Sequence, residues 1–137
     1  MRTQISILIA GFGLLLAVTP VVAHHSFSAE FDVDQPVTLR GTLTKMEWTS
    51  PHCWFYIDVK DKNGETVNWA VEAGTPNALL RLGFTKNALP PGSQIVVEGY
   101  RAKDASNRAN GFNITTPDGR KLFLSSPAKS GAEFEKK

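Results

Sequence analysis

The residues of this 137-residue sequence best suited to chemistry are its three histidines, which fall in two places. His24 and His25 stand side by side, and His52 lies in the run Ser50-Pro51-His52-Cys53-Trp54. If a leader is removed after Ala23, His24 becomes the first residue. Its free amino group and Nδ1 of the same side chain can then close a chelate ring around one metal ion, which no internal histidine can do. Amine and imidazole nitrogens suit Cu(II), which binds such donors more tightly than other divalent first-row metals and accepts a planar or T-shaped arrangement. The chelate lacks one remote ligand, and His52, following a proline turn, is placed where a loop can present it. The expectation is therefore a copper site made by the His24 amine and ring with the His52 ring. His25 supplies an alternative ring nitrogen or its backbone nitrogen. Zinc is the runner-up, held by neutral imidazoles and a carboxylate from Glu30, Asp32 or Asp34. The competing reading is a free terminus, a His52 that bonds a carbonyl or caps a strand, and acids that solvate a loop.

The chelate depends on processing. Arg2 gives a positive start, Ile5 to Val18 is an almost unbroken apolar run, and Pro20 precedes Val21-Val22-Ala23, with short side chains where a signal peptidase reads. Residues 1–23 are therefore expected to be a signal peptide. A retained membrane anchor is the alternative, because the run nearly has the length to span a bilayer. No cysteine follows the cut, so lipid attachment there is excluded. The mature chain is expected in the bacterial periplasm or secreted, with no stable membrane anchor after cleavage.

Other side chains offer less. One cysteine allows no internal disulfide, no thiolate zinc site and no iron–sulfur cluster. Cys53 is a soft ligand in principle, but its parity with Phe55, Ile57 and Val59 predicts a small buried hydrophobe. Trp54, Tyr56 and Trp69 form the alternative site, an aromatic face for a small ligand or a second periplasmic protein, without metal. Fifteen Lys and Arg against thirteen Asp and Glu give a net charge of +2, so nucleic acid is not an expected partner. No Gly-x-Ser-x-Gly or comparable nucleophile pattern is present, and the expectation leans away from an enzyme. A copper oxygenase ranks below simple metal binding.

The elements that must position these groups read as strands. Val37, Leu39, Gly41 and Leu43 alternate with polar residues, and the apolar parity then switches to Met46 and Trp48, which predicts a bulge near Thr44-Lys45. Cys53 to Val59 and Val67 to Val71 flank Asp61-Lys62-Asn63-Gly64, a hairpin signal. Thr75-Pro76 opens a short helix carrying Ala78, Leu79 and Leu82 and ending at Gly83. Gln94 to Tyr100 predicts a fourth strand, and Gly111 to Thr115 with Lys121 to Leu124 flank the Pro117-Asp118-Gly119 turn. Three strands, a helix, then two or three strands is the order of an OB-like barrel. The fold class expected is mainly β: a small five- to six-stranded OB-like barrel over residues 24–125, with one short helix between strands three and four. An open sandwich is the alternative, and residues 126–137 are expected to form a flexible tail.

At His24-His25-Ser26-Phe27, Glu30-Phe31-Asp32, the strand from Val37 to Leu43, and Ser50-Pro51-His52-Cys53-Trp54, the chain resembles a family of short exported bacterial proteins of unknown function. The family's recurring signals are a His-His-Ser-Phe start after the leader and an Asn-Pro-His turn before the second strand. Here Ser50 replaces the usual asparagine and Cys53 fills a variable place, so every histidine is kept. The resemblance implies a bacterial, exported protein and supplies no activity, catalytic residue or cofactor.

Overall fold

The computed structural model describes residues 27–124. The expected leader, His24, His25 and the expected tail lie outside the described residues. The element order is α1 (Phe27–Glu30), β1 (Phe31–Glu47), β2 (Trp54–Lys60), β3 (Thr66–Glu72), α2 (Pro76–Arg81), β4 (Gln94–Ala102), β5 (Arg108–Thr115) and β6 (Lys121–Phe123). The protein is mainly β, as its periodicity predicts.

The long first strand serves two neighbours. Its earlier part pairs antiparallel with β4 and its later part with β2. The change of partner face falls where the parity switch predicts it, because the β1–β2 register slips between Leu43 and Lys45. The Thr44 hydroxyl donates to the Tyr56 carbonyl at 3.1 Å across that bulge. Gly41 lies just before it, where a Cβ would fall 2.1 Å from the Asp58 carbonyl oxygen, so only glycine lets β1 pass β2 this closely.

The β2–β3 hairpin closes through Asp61, whose carboxylate accepts from the amides of Asn63 and Glu65 at 2.8 and 2.9 Å. Gly64 supplies the positive φ the turn needs. Helix α2 starts as expected: Thr75 accepts from the Ala78 amide at 3.1 Å, and Pro76 occupies the first turn. The helix lowers Leu79 into the core, and the chain returns through Phe84, whose ring meets Phe55 edge-on at 5.5 Å.

Closure is non-local. Strand β5 pairs antiparallel with β4, and its first residues pair parallel with the end of β3, Ala70 to Arg108 and Glu72 to Asn110. The strands β1, β2, β3, β5 and β4 thus form a ring, with β6 added at the side of β5. Leu43, Phe55, Ile57, Val71, Val97 and Ile114 fill it from all five strands. Among the described residues no helix is long and apolar enough to cross a membrane.

Candidate functional site

His52 enters β2 after a cis Ser50–Pro51 peptide bond. Its backbone neighbourhood is pinned on both sides: the Cys53 amide donates to the Gly74 carbonyl at 3.0 Å and the Ala73 amide to the Cys53 carbonyl at 2.9 Å. The imidazole therefore stands at a fixed place on the rim of the ring, with 45% of its side chain exposed. Its Nδ1 lies 3.1 Å from the Ala73 carbonyl oxygen and 3.3 Å from Glu72 Oε1.

Glu72 is the residue that inspection of the sequence missed. It ends β3 beside Trp54 on β2 and Asn110 on β5, on the outer face, since Val71 before it points into the core. Its side chain is only 12% exposed. Burial pushes its carboxyl group above the usual carboxylate range; the charge of His52 opposes that rise, Glu30 adds to it and Arg108 opposes it. The hairpin register already places it, because a turn at Asp61–Gly64 makes Trp54 face Glu72.

Arg108 joins this group to the start of the described chain. Its Nη2 lies 3.0 Å from Glu30 Oε2, and its guanidinium sits over the Trp54 ring at 5.7 Å and over Phe31 at 6.0 Å. Phe27 stacks on Phe31 at 5.7 Å and meets Tyr100 edge-on at 5.8 Å. Lys103 adds two ties, from its amide to the Glu30 carbonyl at 2.9 Å and from Nζ to the Ser28 carbonyl at 2.6 Å. Residues 27–31 are thus laid over the outer face of β4 and β5. Beneath them Asn110 is buried, and its Oδ1 has no hydrogen-bond partner among the described residues.

These ties predict a local effect. The Arg108–Glu30 pair is partly exposed, a setting where ion pairs contribute about 0–1 kcal/mol. Arg108→Gln should change the melting temperature little while speeding amide hydrogen exchange across residues 27–31. Exchange there equal to wild type would contradict the role given to Arg108.

The other candidates separate. Cys53 is fully buried in the main core, and burial pushes its thiol pKa up, with the contact from Sγ to the Thr49 carbonyl at 3.9 Å opposing. Iodoacetamide should therefore alkylate it far more slowly in folded protein at neutral pH than in urea. Equal rates would show that the thiol is reachable. Asp32 accepts from the Asp34 amide at 3.0 Å and from Gln35 Nε2 at 3.1 Å, a local turn network. Of the three acids considered for zinc, Glu30 is the one tied to the His52 side of the ring through Arg108. Trp54 and Tyr56 share the outer face, where Lys45 lies over the Tyr56 ring at 5.4 Å and the Tyr56 hydroxyl donates to Glu47 at 3.2 Å. Trp69 does not join them: it faces Ile57 across the hairpin and packs against the core, with Arg101 over its ring at 5.5 Å. Among the described residues no three His, Cys, Asp or Glu side chains are grouped closely enough to hold a metal ion.

A family model described as a family of unknown function, DUF6152, matches residues 13–112. The chain belongs to that family. The matched span runs from before the predicted processing site into β5 and includes His24, His25 and His52. Neither the curated proteins nor the solved structures give a match.

Proposed function

We propose that this member of DUF6152 is an exported, periplasmic metal-binding protein that holds one copper ion on an OB-type barrel. The amine and ring of His24 and the ring of His52 are the ligands, and His25 is the supporting donor. The barrel reading rests on the ring order β1-β2-β3-β5-β4, the parallel β3–β5 contact and the position of α2 between β3 and β4. Export rests on the apolar leader and its Val-x-Ala end.

The observation that supports the metal reading most is the Glu30–Arg108 tie. It holds the first described turn at the cluster of Trp54 and Glu72, and Glu72 touches His52. His24 precedes Phe27 by three residues, a reach of about 10 Å at roughly 3.3–3.6 Å per residue. The copper reading requires those three residues to span the gap to the rim that carries His52. Three nitrogen donors, two from one residue, favour copper over zinc by the donor preferences of the two ions.

The test is a Cu(II) titration of protein whose first residue is His24, set against protein with one alanine added ahead of it. The trimmed form should bind one equivalent, and the extension should abolish most of the affinity by removing the chelating amine. Equally weak binding by both forms would overturn the reading in favour of a metal-free ligand or interaction module around Trp54 and Tyr56.

A further inference from the structure

The two contacts of His52 Nδ1 carry a chemical consequence. A backbone carbonyl oxygen can only accept a hydrogen bond, and so can an ionised carboxylate. The hydrogen bond to Ala73 O at 3.1 Å therefore requires the proton on Nδ1, and the Glu72 carboxylate, with Oε1 3.3 Å from the same nitrogen, favours that placement electrostatically. In the neutral ring that leaves the lone pair on Nε2 of a side chain that is 45% exposed. The Ala73 carbonyl is itself held in place, because the Ala73 amide is bonded to Cys53 and the Cys53 amide to Gly74. Glu72 is held by its position at the end of β3, with the guanidinium of Arg108 directed to Glu30 and the Trp54 ring. A largely buried carboxylate costs stability unless a polar partner faces it, and the His52 ring nitrogen is such a partner, 3.3 Å away.

We propose that Glu72 is a positioning residue that, with the Ala73 carbonyl, fixes His52 with the proton on Nδ1 and presents Nε2 as its metal-ligating atom. This rests on the copper reading for its use, while the tautomer itself is a property of the metal-free protein. A ligating histidine whose other ring nitrogen donates to a carboxylate or carbonyl is oriented and made more basic, and loss of such an outer partner typically lowers metal affinity 10–100-fold. This role accounts for a carboxylate in a largely buried place beside a half-exposed ring.

The experiment reads the tautomer and the affinity separately. Long-range proton–nitrogen correlation NMR of metal-free protein, at a pH where the ring is neutral, should show a protonated Nδ1 and an unprotonated Nε2 for His52. Glu72→Ala should raise the share of the Nε2-protonated form and weaken Cu(II) binding by about 10–100-fold. Glu72→Gln, which keeps an acceptor oxygen and the side-chain volume, should restore most of the wild-type tautomer and part of the affinity. Amide spectra of both variants verify that the ring has folded. A wild-type His52 protonated mainly on Nε2 would overturn the proposal. So would a Glu72→Ala protein with wild-type tautomer and affinity while His52→Ala still loses copper. If His52→Ala binds copper as well as wild type, the metal reading fails, and the NMR result still decides the role of Glu72 in the tautomer.

Discussion

Protein that begins at His24 and carries His52→Ala should bind Cu(II) at least about 100-fold more weakly than the same protein with His52. Removing an outer partner of a ligand costs 10–100-fold, so removing the ligand itself should cost no less than the upper end of that range. A 100-fold loss corresponds to about 2.8 kcal/mol. The protein should still fold, with some stability lost because Glu72 is left without its partner, since the His52 side chain is 45% exposed and its hydrogen bond to the protein comes from one nitrogen at the rim. The one-residue extension ahead of His24 should give a loss of similar or greater size, since it removes the amine and breaks the chelate. If the two changes act on one site, adding the extension to His52→Ala should cost less than the sum of the separate losses. Competition titration with a chelator of known affinity measures all four proteins. A His52→Ala protein that keeps wild-type affinity would confine any copper to the terminus and separate it from the ring.

Phe55→Ala should be the most damaging single change to stability, at about 3–5 kcal/mol. Phe55 is fully buried on β2, between Cys53 and Ile57 on the same face, and its ring meets Phe84 edge-on at 5.5 Å. It is one of the contacts through which the segment after α2 packs on the strands, so truncation opens a cavity between that segment and β2. Against a total stability of about 5–15 kcal/mol for a domain of this kind, such a loss is a large fraction. Urea unfolding monitored by tryptophan fluorescence would read it as a fall in midpoint with the slope retained. A loss below about 1 kcal/mol would mean that the Phe84 segment does not depend on this ring.

Much of the ring was legible because its signals are local. The bulge at Thr44, the Asp61–Gly64 hairpin, the Thr75-Pro76 helix start and the Pro117-Asp118-Gly119 turn each follow from residues a few positions apart, and each falls where periodicity and turn chemistry put it. The first half of β5 was not legible. Arg108-Ala109-Asn110 carries no strand pattern, and it becomes a strand because the end of β3, distant in sequence, offers it a parallel edge. Helix α1 and the early part of β1, from Phe31 to Pro36, were missed for a related reason: they are held by Arg108, Lys103 and Tyr100 from other elements.

The candidate site divides in the same way. The rim position of His52 and the burial of Cys53 could be read from the proline turn and the strand parity. Hairpin register, followed through to its end, would have separated Trp69 from Trp54 and Tyr56, and would have set Glu72 beside Trp54. Arg108 could not be found this way, because its link to Glu30 and Trp54 exists only once the ring closes.

Electron paramagnetic resonance of the one-to-one Cu(II) complex of protein starting at His24 tests the central claim most directly. Nitrogen hyperfine structure should report three coupled nitrogens, two that respond when the terminal residue is changed and one that vanishes in His52→Ala. A spectrum of loosely held or hydrated Cu(II), unaltered by either change, would contradict a shared site between the chain start and the ring.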